Sequence, residues 1–179
     1  MEGSLKEHRS RVSDIKINKD DTQAITSSYD GSSIIWDIIN NTRIMCLFES
    51  TMFKQVVYHP DESQVVTTGS SRKLTYWDCF DGQAIRMLDG SESGEINALA
   101  ITESGEHLVS GGGDKVIKVW DYDEGICYYN GIGHSGDIVK VAIAPDQKTL
   151  VSVGTEGAIF MWHMPEKVFQ TKADQDLPQ

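Results

Sequence analysis

Four tryptophans in the sequence are each preceded, at fixed distances, by side chains that together could do chemistry. A hydroxyl residue stands ten residues before each tryptophan, and an acidic residue stands six before it in three of the four cases. A histidine stands 28 residues before the first and the last tryptophan. In chain order the sets are His8, Thr26, Asp30 and Trp36; Thr67 and Trp77; Ser110, Asp114 and Trp120; and His134, Ser152, Glu156 and Trp162. Histidine, hydroxyl and carboxylate are also the ingredients of a nucleophilic triad.

The repetition of these sets argues against a catalytic site. A triad requires one exposed, unique constellation with an oxyanion hole, whereas these sets recur four times with members missing. An indole N–H can only donate, and burying it without an acceptor costs free energy. A hydroxyl can accept from the indole and donate to an imidazole, which an acidic residue then orients. We therefore predict structural hydrogen-bond sets that bury the tryptophans, and no catalytic residue.

Two glycine-rich segments match nucleotide-binding patterns only formally. The stretch GIGHSG at 131–136 fits GxGxxG, but the strand-like segment DIVKVAIA follows where dinucleotide binding needs a helix. The glycine run 111–113 is not followed by Gly-Lys-Ser/Thr, so a tight turn and close strand packing explain it better. Cys46, Cys79 and Cys127 are widely spaced and form no CxxC pair. No cofactor and no metal site are predicted.

Charge and hydropathy limit the classes of partner. The chain has 16 basic and 27 acidic residues, a net charge of −11. Such a surface repels phosphate backbones and anionic lipid, so we expect no nucleic acid and no membrane partner. No apolar run approaches the roughly 18 residues of a membrane span, and the N-terminal stretch MEGSLKEHRS does not read as a signal peptide. Unpaired cysteines fit a reducing compartment, which favours the cytoplasm.

The spacing of the tryptophans predicts how these sets are positioned. Successive tryptophans are 41, 43 and 42 residues apart, the period of a four-stranded propeller blade. Each repeat opens with an apolar strand, in turn VSDIKI, FKQVVY, INALAI and IVKVAI, and polar turns separate the strands that follow. Fourth strands are expected near 43–48, 84–89 and 126–132. The fold class is therefore all-β. The predicted units are a lead-in (1–6), four repeats (7–49, 50–91, 92–133 and 134–164) and a polar tail (165–179).

Across residues 7–163 the motifs and their register resemble the WD-repeat family. The resemblance implies β-propeller blades, most simply part of a seven-bladed propeller, in which the His–hydroxyl–Asp–Trp sets are structural. The sequence departs from the family pattern at Glu49, Ser71 and Glu92, which predicts less rigid connecting loops in blades two and three. His163 also replaces the aspartate that usually follows the tryptophan.

Four repeats must close into a ring or expose apolar sheet at both ends. We therefore expect the remaining propeller blades to come from a longer chain or from another copy. In the polar tail, Val168 and Phe169 are candidates for a last short strand.

Stretches between the motif positions resemble WD-repeat proteins of cilia and flagella. They include YHPDESQVVTTGSSRKLTYWDCFDG and IRMLDGSESGEINALAITESGEHLVSGGGD. This resemblance implies a non-enzymatic structural component of the axoneme, bound in the lumen of doublet microtubules to tubulin and other axonemal proteins, and needed for motility. The alternative is a soluble WD-repeat adaptor that presents a peptide or protein to a signalling complex or a ubiquitin ligase.

The propeller resemblance also implies a partner-binding rim. Propellers usually bind partners at the loops near the residue before the first strand and the residue before the acidic position. Here the candidates are Arg9, Arg11, Tyr29 and Arg72. Arginine and tyrosine are enriched at interface hot spots, although ordinary solvated side chains are the alternative interpretation.

Overall fold

The chain folds into four antiparallel β-sheets that follow one another along the sequence. A computed structural model describes residues 4–164. Sheet 1 contains β1 (Val12–Ile17), β2 (Gln23–Ser28), β3 (Ser32–Asp37) and β4 (Thr42–Phe48). Sheet 2 contains β5 (Phe53–Tyr58), β6 (Gln64–Gly69), β7 (Lys73–Asp78) and β8 (Ala84–Asp89). Sheet 3 contains β9 (Ile96–Ile101), β10 (His107–Gly112), β11 (Val116–Asp121) and β12 (Cys127–Ile132). Sheet 4 contains β13 (Ile138–Ile143), β14 (Thr149–Gly154) and β15 (Ile159–His163).

The all-β fold built of propeller blades is confirmed. In every sheet the strands pair in chain order, so each blade is a meander. The limits of the repeats fall in loops between sheets and stay a prediction. The tail 165–179, with Val168 and Phe169, lies outside the described residues. Within residues 4–164, no helix is long and apolar enough to span a membrane.

A left-handed residue recurs in the turns at three positions of the repeat. These positions lie 15 and five residues before each tryptophan and five residues after it. They are occupied by Asp21, Glu62, Gly105 and Gln147; by Gly31, Arg72, Lys115 and Gly157; and by Asn41, Gly82 and Gly125. Glycine takes this conformation without cost, and Asn and Asp tolerate it, whereas other side chains are strained by roughly 1–2 kcal/mol. The position in the repeat therefore determines the turn conformation, even where the residue type disfavours the left-handed region.

Aspartates hold these turns by accepting backbone hydrogen bonds. Asp61 accepts the N–H of Ser63 at 2.9 Å, and Asp146 does the same for Lys148. In the turn after the tryptophan, the carboxylate of Asp121 accepts the N–H of Glu124 at 2.7 Å. The Asp of each Trp-Asp pair thus starts the turn to the fourth strand. His163 provides no carboxylate at this place.

Most of the core lies between neighbouring sheets, and a smaller cluster of Ala24, Ile34 and Trp36 lies on sheet 1 alone. The first strands β1, β5, β9 and β13 lie side by side around a common centre. Ile25 and Leu47 of sheet 1 pack with Val56 and Trp77 of sheet 2. The next two boundaries repeat this arrangement: Val66, Tyr76, Leu99 and Trp120 pack together, as do Val109, Val119, Val141 and Leu150. Because each inner sheet packs on both sides, its strands are apolar on both faces.

Polar side chains also tie the sheets together. Glu62 of sheet 2 accepts the backbone N–H of Lys19 at 2.5 Å, and Gln147 of sheet 4 accepts that of Glu103 at 2.9 Å. Both acceptors stand 15 residues before their tryptophan. Gly105 occupies this position in sheet 3, where a Cβ would lie 2.4 Å from His59 Nε2. That boundary instead uses the ring contact of His59 with Tyr122, whose centroids are 4.4 Å apart.

Replacing Lys115 by glycine tests the strained turn position. Lys115 is exposed and has φ 64°. Lys115→Gly is expected to raise the free energy of unfolding by roughly 0.5–1 kcal/mol, because relief of the left-handed strain outweighs the added chain entropy. Urea unfolding measures this. The control is Lys148→Gly, an exposed turn residue outside the left-handed region, where a loss is expected. A loss at Lys115 as well would contradict the assignment.

Candidate functional site

The first blade contains a complete chain of hydrogen bonds from a buried indole to an acidic side chain. Trp36 Nε1 donates to Thr26 Oγ1 at 2.8 Å, and Thr26 Oγ1 lies 2.7 Å from His8 Nε2. His8 Nδ1 lies 3.1 Å from Asp30 Oδ2. Since a carboxylate only accepts, Nδ1 carries the proton and Nε2 accepts from the hydroxyl. The geometry fixes one tautomer and joins strands β2 and β3 to the segment before β1.

Asp30 is the centre of this network. Besides His8, its carboxylate accepts the N–H of Arg9 at 2.7 Å and both the N–H and the hydroxyl of Ser32, at 2.9 and 2.5 Å. Burial alone would raise the pKa of Asp30, but the hydrogen bonds from Ser32, Arg9 and His8 outweigh it and hold the pKa well below its usual range. The charged form is therefore the one that the native structure stabilises.

The fourth blade repeats the arrangement with glutamate in place of aspartate. Trp162 Nε1 donates to Ser152 Oγ at 2.8 Å, and His134 Nε2 lies 2.7 Å from the same oxygen. His134 Nδ1 is in hydrogen-bond contact with Glu156. Burial opposes the change, yet bonds from the backbone and from His134 lower the pKa of Glu156. The longer side chain spans the same gap, so the set is complete.

In the third blade a lysine takes the place of the missing histidine. Trp120 Nε1 donates to Ser110 Oγ at 2.9 Å. The carboxylate of Asp114 accepts from Lys118 Nζ at 2.8 Å, and the same ammonium donates to the carbonyl of Gly90 at 2.9 Å. The side chains of Asp114 and Lys118 are 8% and 12% exposed. Asp114 is thus paired with a buried cation that lies outside the repeated motif positions.

The second blade keeps the indole–hydroxyl bond, but threonine and serine residues replace other members of the set. Trp77 Nε1 donates to Thr67 Oγ1 at 2.8 Å. Thr51 Oγ1 accepts the backbone N–H of Ser71 at 2.9 Å and lies 3.2 Å from Ser70 Oγ. Glu49, at the histidine position, accepts from Thr75 Oγ1 at 2.9 Å. The lower rigidity expected for blades two and three stays a prediction.

The structure brings two of the four rim candidates, Arg11 and Tyr29, together and adds a second cation, Lys54. Tyr29 lies between Arg11, whose guanidinium carbon is 5.5 Å from the ring centroid, and Lys54, whose Nζ is 4.6 Å from it. Lys54 Nζ also donates to Tyr29 Oη at 3.2 Å and pairs with Glu95 at 2.7 Å. Cation–π contacts of this kind fix the ring. Lys54 is not among the predicted rim residues, because it belongs to the next repeat and lies outside the positions that the rim pattern includes.

The other two rim candidates act through different partners. Arg9 contributes its backbone N–H to Asp30, and its side chain is exposed. Arg72 Nη1 donates to the carbonyl of Glu92 at 3.1 Å, which links the turn of sheet 2 to the loop before sheet 3. The candidates therefore share one end of the sheets without forming a single cluster.

A cavity of about 440 Å³ opens at the opposite end, where the first strands finish. Its wall includes the apolar side chains of Ile17, Leu99 and Ile143. Lys16 and Lys140 also line it, and each places Nζ 3.9 Å from the carboxylate of Asp14. This cavity is the space between the first strands of the four sheets, and no motif in the sequence predicts it.

Neither glycine-rich segment forms a phosphate-binding loop. Strand β13, and no helix, follows the GIGHSG segment. Gly111 and Gly112 belong to β10, and a Cβ on Gly112 would lie 2.0 Å from the carbonyl oxygen of Glu95. Close approach of two strands explains these glycines. Among residues 4–164, no group of three or more His, Cys, Asp or Glu side chains is placed to hold a metal ion.

The comparisons with known proteins agree with the blade structure. The family model described as WD domain, G-beta repeat matches residues 1–37, 82–121 and 125–163. The chain belongs to this WD40-repeat family. A solved structure, the crystal structure of the computationally designed Ika4 protein, shares the fold with a TM-score of 0.78 and 23% identity. The alignment covers 90% of this chain and 96% of that chain.

The relatives at higher identity are named for cilia and flagella. Cilia- and flagella-associated protein 52 of Chlamydomonas reinhardtii is 52% identical over 174 residues, 97% of this chain and 28% of that protein. The proteins of the same name from Sus scrofa and Homo sapiens are 47% and 46% identical over 165 residues, 92% of this chain and 27% of each protein. The resemblance to ciliary WD-repeat proteins is confirmed. This chain spans about a quarter of the length of these curated relatives.

Removing the central carboxylate of the first blade should lower the free energy of unfolding more than a change at the matching position of the second blade does. Asp30→Ala leaves the donors of Arg9, Ser32 and His8 without their acceptor, which is expected to lower the free energy of unfolding by roughly 2–3 kcal/mol. Ser71→Ala keeps the backbone N–H that Ser71 uses, so a loss below about 1 kcal/mol is expected. Matched urea unfolding of the two variants measures the ranking, and equal losses would refute it.

The Asp114–Lys118 pair can be tested by a double-mutant cycle. Lys118→Ala leaves a buried carboxylate without its cation and is expected to cost about 3 kcal/mol. The double variant Asp114→Ala with Lys118→Ala should lose at least about 1 kcal/mol less than the sum of the single losses. Lys115→Ala, at an exposed neighbouring lysine, serves as the control. Strictly additive losses would show that the pair does not interact.

Proposed function

We propose that this chain is a non-catalytic scaffold of cilia and flagella. In this role it binds tubulin and neighbouring proteins in the lumen of axonemal doublet microtubules and supports motility. The observation that carries the proposal is the 46–52% identity to cilia- and flagella-associated proteins over 92–97% of the chain. The matched region includes the loops as well as the strands, because it covers nearly the whole chain.

The architecture supports a binding role for the surface rather than a reaction. The hydroxyls that could act as nucleophiles accept from buried indoles, Ser152 from Trp162 and Thr26 from Trp36. A nucleophile needs an exposed oxygen beside its base. These sets instead hold the loops at one end of the sheets in fixed positions, as a binding surface requires.

The rim of Arg9, Arg11, Tyr29, Lys54 and Arg72 is the proposed contact surface. The chain as a whole carries a net charge of −11, so an acidic partner such as tubulin is repelled by most of it. Arg11 and Lys54 lie beside Tyr29, and Arg9 and Arg72 add two further cations at the same end of the sheets, where complementary charge can orient an acidic partner during association. Cation–π contacts hold Tyr29 in place before binding, which lowers the entropy lost in the complex.

Expression of the tagged chain in a ciliated cell tests location and surface together. The chain is expected to remain with the doublet microtubules when axonemes are extracted with salt. Arg11→Ala combined with Arg72→Ala should reduce the bound fraction on the order of tenfold, which corresponds to ~1.4 kcal/mol.

Two outcomes would count against different parts of the proposal. The control, Lys148→Ala, changes an exposed lysine at the opposite end of the sheets and should bind like the unaltered chain. Equal retention of the double variant and the control would remove the rim from the proposal. Absence of the unaltered chain from axonemes would refute the ciliary role and favour a cytoplasmic adaptor.

A further inference from the structure

The hairpin of strands β7 and β8 in sheet 2, which lies between sheets 1 and 3, presents three exposed apolar side chains. Phe80, in the turn between the two strands, is 94% exposed, and Ile85 and Met87 of β8 are 51% and 50% exposed. We call these three residues the hairpin patch. The corresponding positions of sheet 3, three, eight and ten residues after the tryptophan, hold Asp123, Tyr128 and Asn130. The blade therefore does not require apolar residues there, and a group of exposed apolar side chains is typical of interaction sites.

Strand β8 directs the patch toward the outer part of sheet 1. Met87 pairs with Thr75, and Ala84 pairs with Trp77. Trp77 packs in the cluster shared with sheet 1, and alternate residues of a strand lie on the same face, so Met87 lies on the side of β8 that faces sheet 1. Ile85 is left unpaired by the register shift between these two pairs, as at a β-bulge.

The turn that carries Phe80 is held in place by its own carboxylate and by sheet 1. Asp78 Oδ1 accepts the N–H of Phe80 at 2.6 Å and that of Asp81 at 3.4 Å. Gly82 is in the left-handed region, and a Cβ on it would lie 2.8 Å from Met45 Sδ of β4. Phe80 is thus presented by an ordered turn, which lowers the entropy lost when a partner binds.

The hairpin is acidic, and its one cation points to the other side. The acidic residues of segment 74–89 are Asp78, Asp81 and Asp89, and Arg86 is the only basic residue. The guanidinium of Arg86 lies 4.2 Å from the ring centroid of Tyr76 and donates to the carbonyl of Asp123 at 2.6 Å. Because Tyr76 and Asp123 belong to the boundary with sheet 3, Arg86 does not neutralise the side that faces sheet 1.

The adjoining turn adds further negative charge. Cys79 donates its backbone N–H to the carbonyl of Ser63 at 2.9 Å, which places turn 59–63, with Asp61 and Glu62, beside the turn of Phe80. Burial raises the pKa of the Cys79 thiol to about 12, and the carboxylates of Asp78 and Asp61 contribute to the rise. The apolar patch therefore lies in a region of negative potential.

We propose that the hairpin patch binds a lysine- and arginine-rich segment of a partner protein that also carries apolar side chains. The apolar side chains pack on Phe80, Ile85 and Met87, and the cations pair with Asp81 and the carboxylates around it. Charge selects this partner, because nucleic acid, anionic lipid and a second copy with its net charge of −11 are all repelled. Phe80 lies at the opposite end of β7 from Arg72, so the rim stays free. This interaction is independent of the ciliary role.

Fluorescence anisotropy tests the proposal with the 179-residue chain and a short labelled peptide in which lysine alternates with leucine. This peptide is expected to bind at least about tenfold more tightly than one in which lysine alternates with serine, because only leucine can cover the apolar side chains. Phe80→Ser combined with Met87→Ser should weaken binding of the lysine–leucine peptide on the order of tenfold and leave the lysine–serine peptide unchanged. Asp81→Lys should weaken the binding of both peptides.

A matched control separates the patch from exposed apolar residues in general. Ile39→Ser changes a residue that is 68% exposed in the corresponding turn of sheet 1, where residues 38–41 include no carboxylate. This variant should bind like the unaltered chain. All the substituted residues are exposed, so the fold should be retained, which circular dichroism verifies. Equal affinity for the two peptides, unchanged binding by the double variant, or an equal loss at Ile39→Ser would overturn the proposal.

Discussion

The hydrogen bond from each buried indole to a hydroxyl ten residues earlier is the interaction on which the blades depend. It has a length of 2.8–2.9 Å in all four sheets. A buried indole N–H that has no other acceptor costs free energy, so the hydroxyl is required. The bond also links β2 to β3, or its counterpart, at a fixed register. Everything further along the network is less constrained, and there the four blades differ.

The differences between the blades depend on which group accepts the proton of the hydroxyl and which group pairs with the buried carboxylate. Thr26 and Ser152 give their proton to a histidine, which an acidic residue orients. In the third blade the carboxylate is still buried, and a lysine four residues later supplies the charge that it needs. In the second blade no carboxylate stands at that place, and neutral hydroxyls are enough. The network therefore adapts to the charge of one residue, while the tryptophan and its acceptor stay the same.

This division explains how much the sequence could predict. A period of about 42 residues located every first strand, and the offset of ten located every acceptor, because both are set by strand register. Lys118, Thr51 and Lys54 were not predicted, since each replaces or supports a partner from a position outside the shared pattern. The exposure of Ile15, 58%, could not be predicted from its type either, since Val56 at the same position of the second repeat is fully buried against sheet 1.

Hydrogen bonding and apolar packing thus connect different parts of this protein. Each hydrogen-bond set is completed within one blade and its connecting loops, so it does not depend on how many blades the array contains. Apolar burial is completed mainly between blades, at the three boundaries that join the four described sheets. Since apolar area removed from water is the main favourable term in folding, these boundaries hold the sheets together. Sheets 2 and 3 each share two of the boundaries, so their packing depends on both neighbours, whereas each hydrogen-bond set depends only on one blade and its loops.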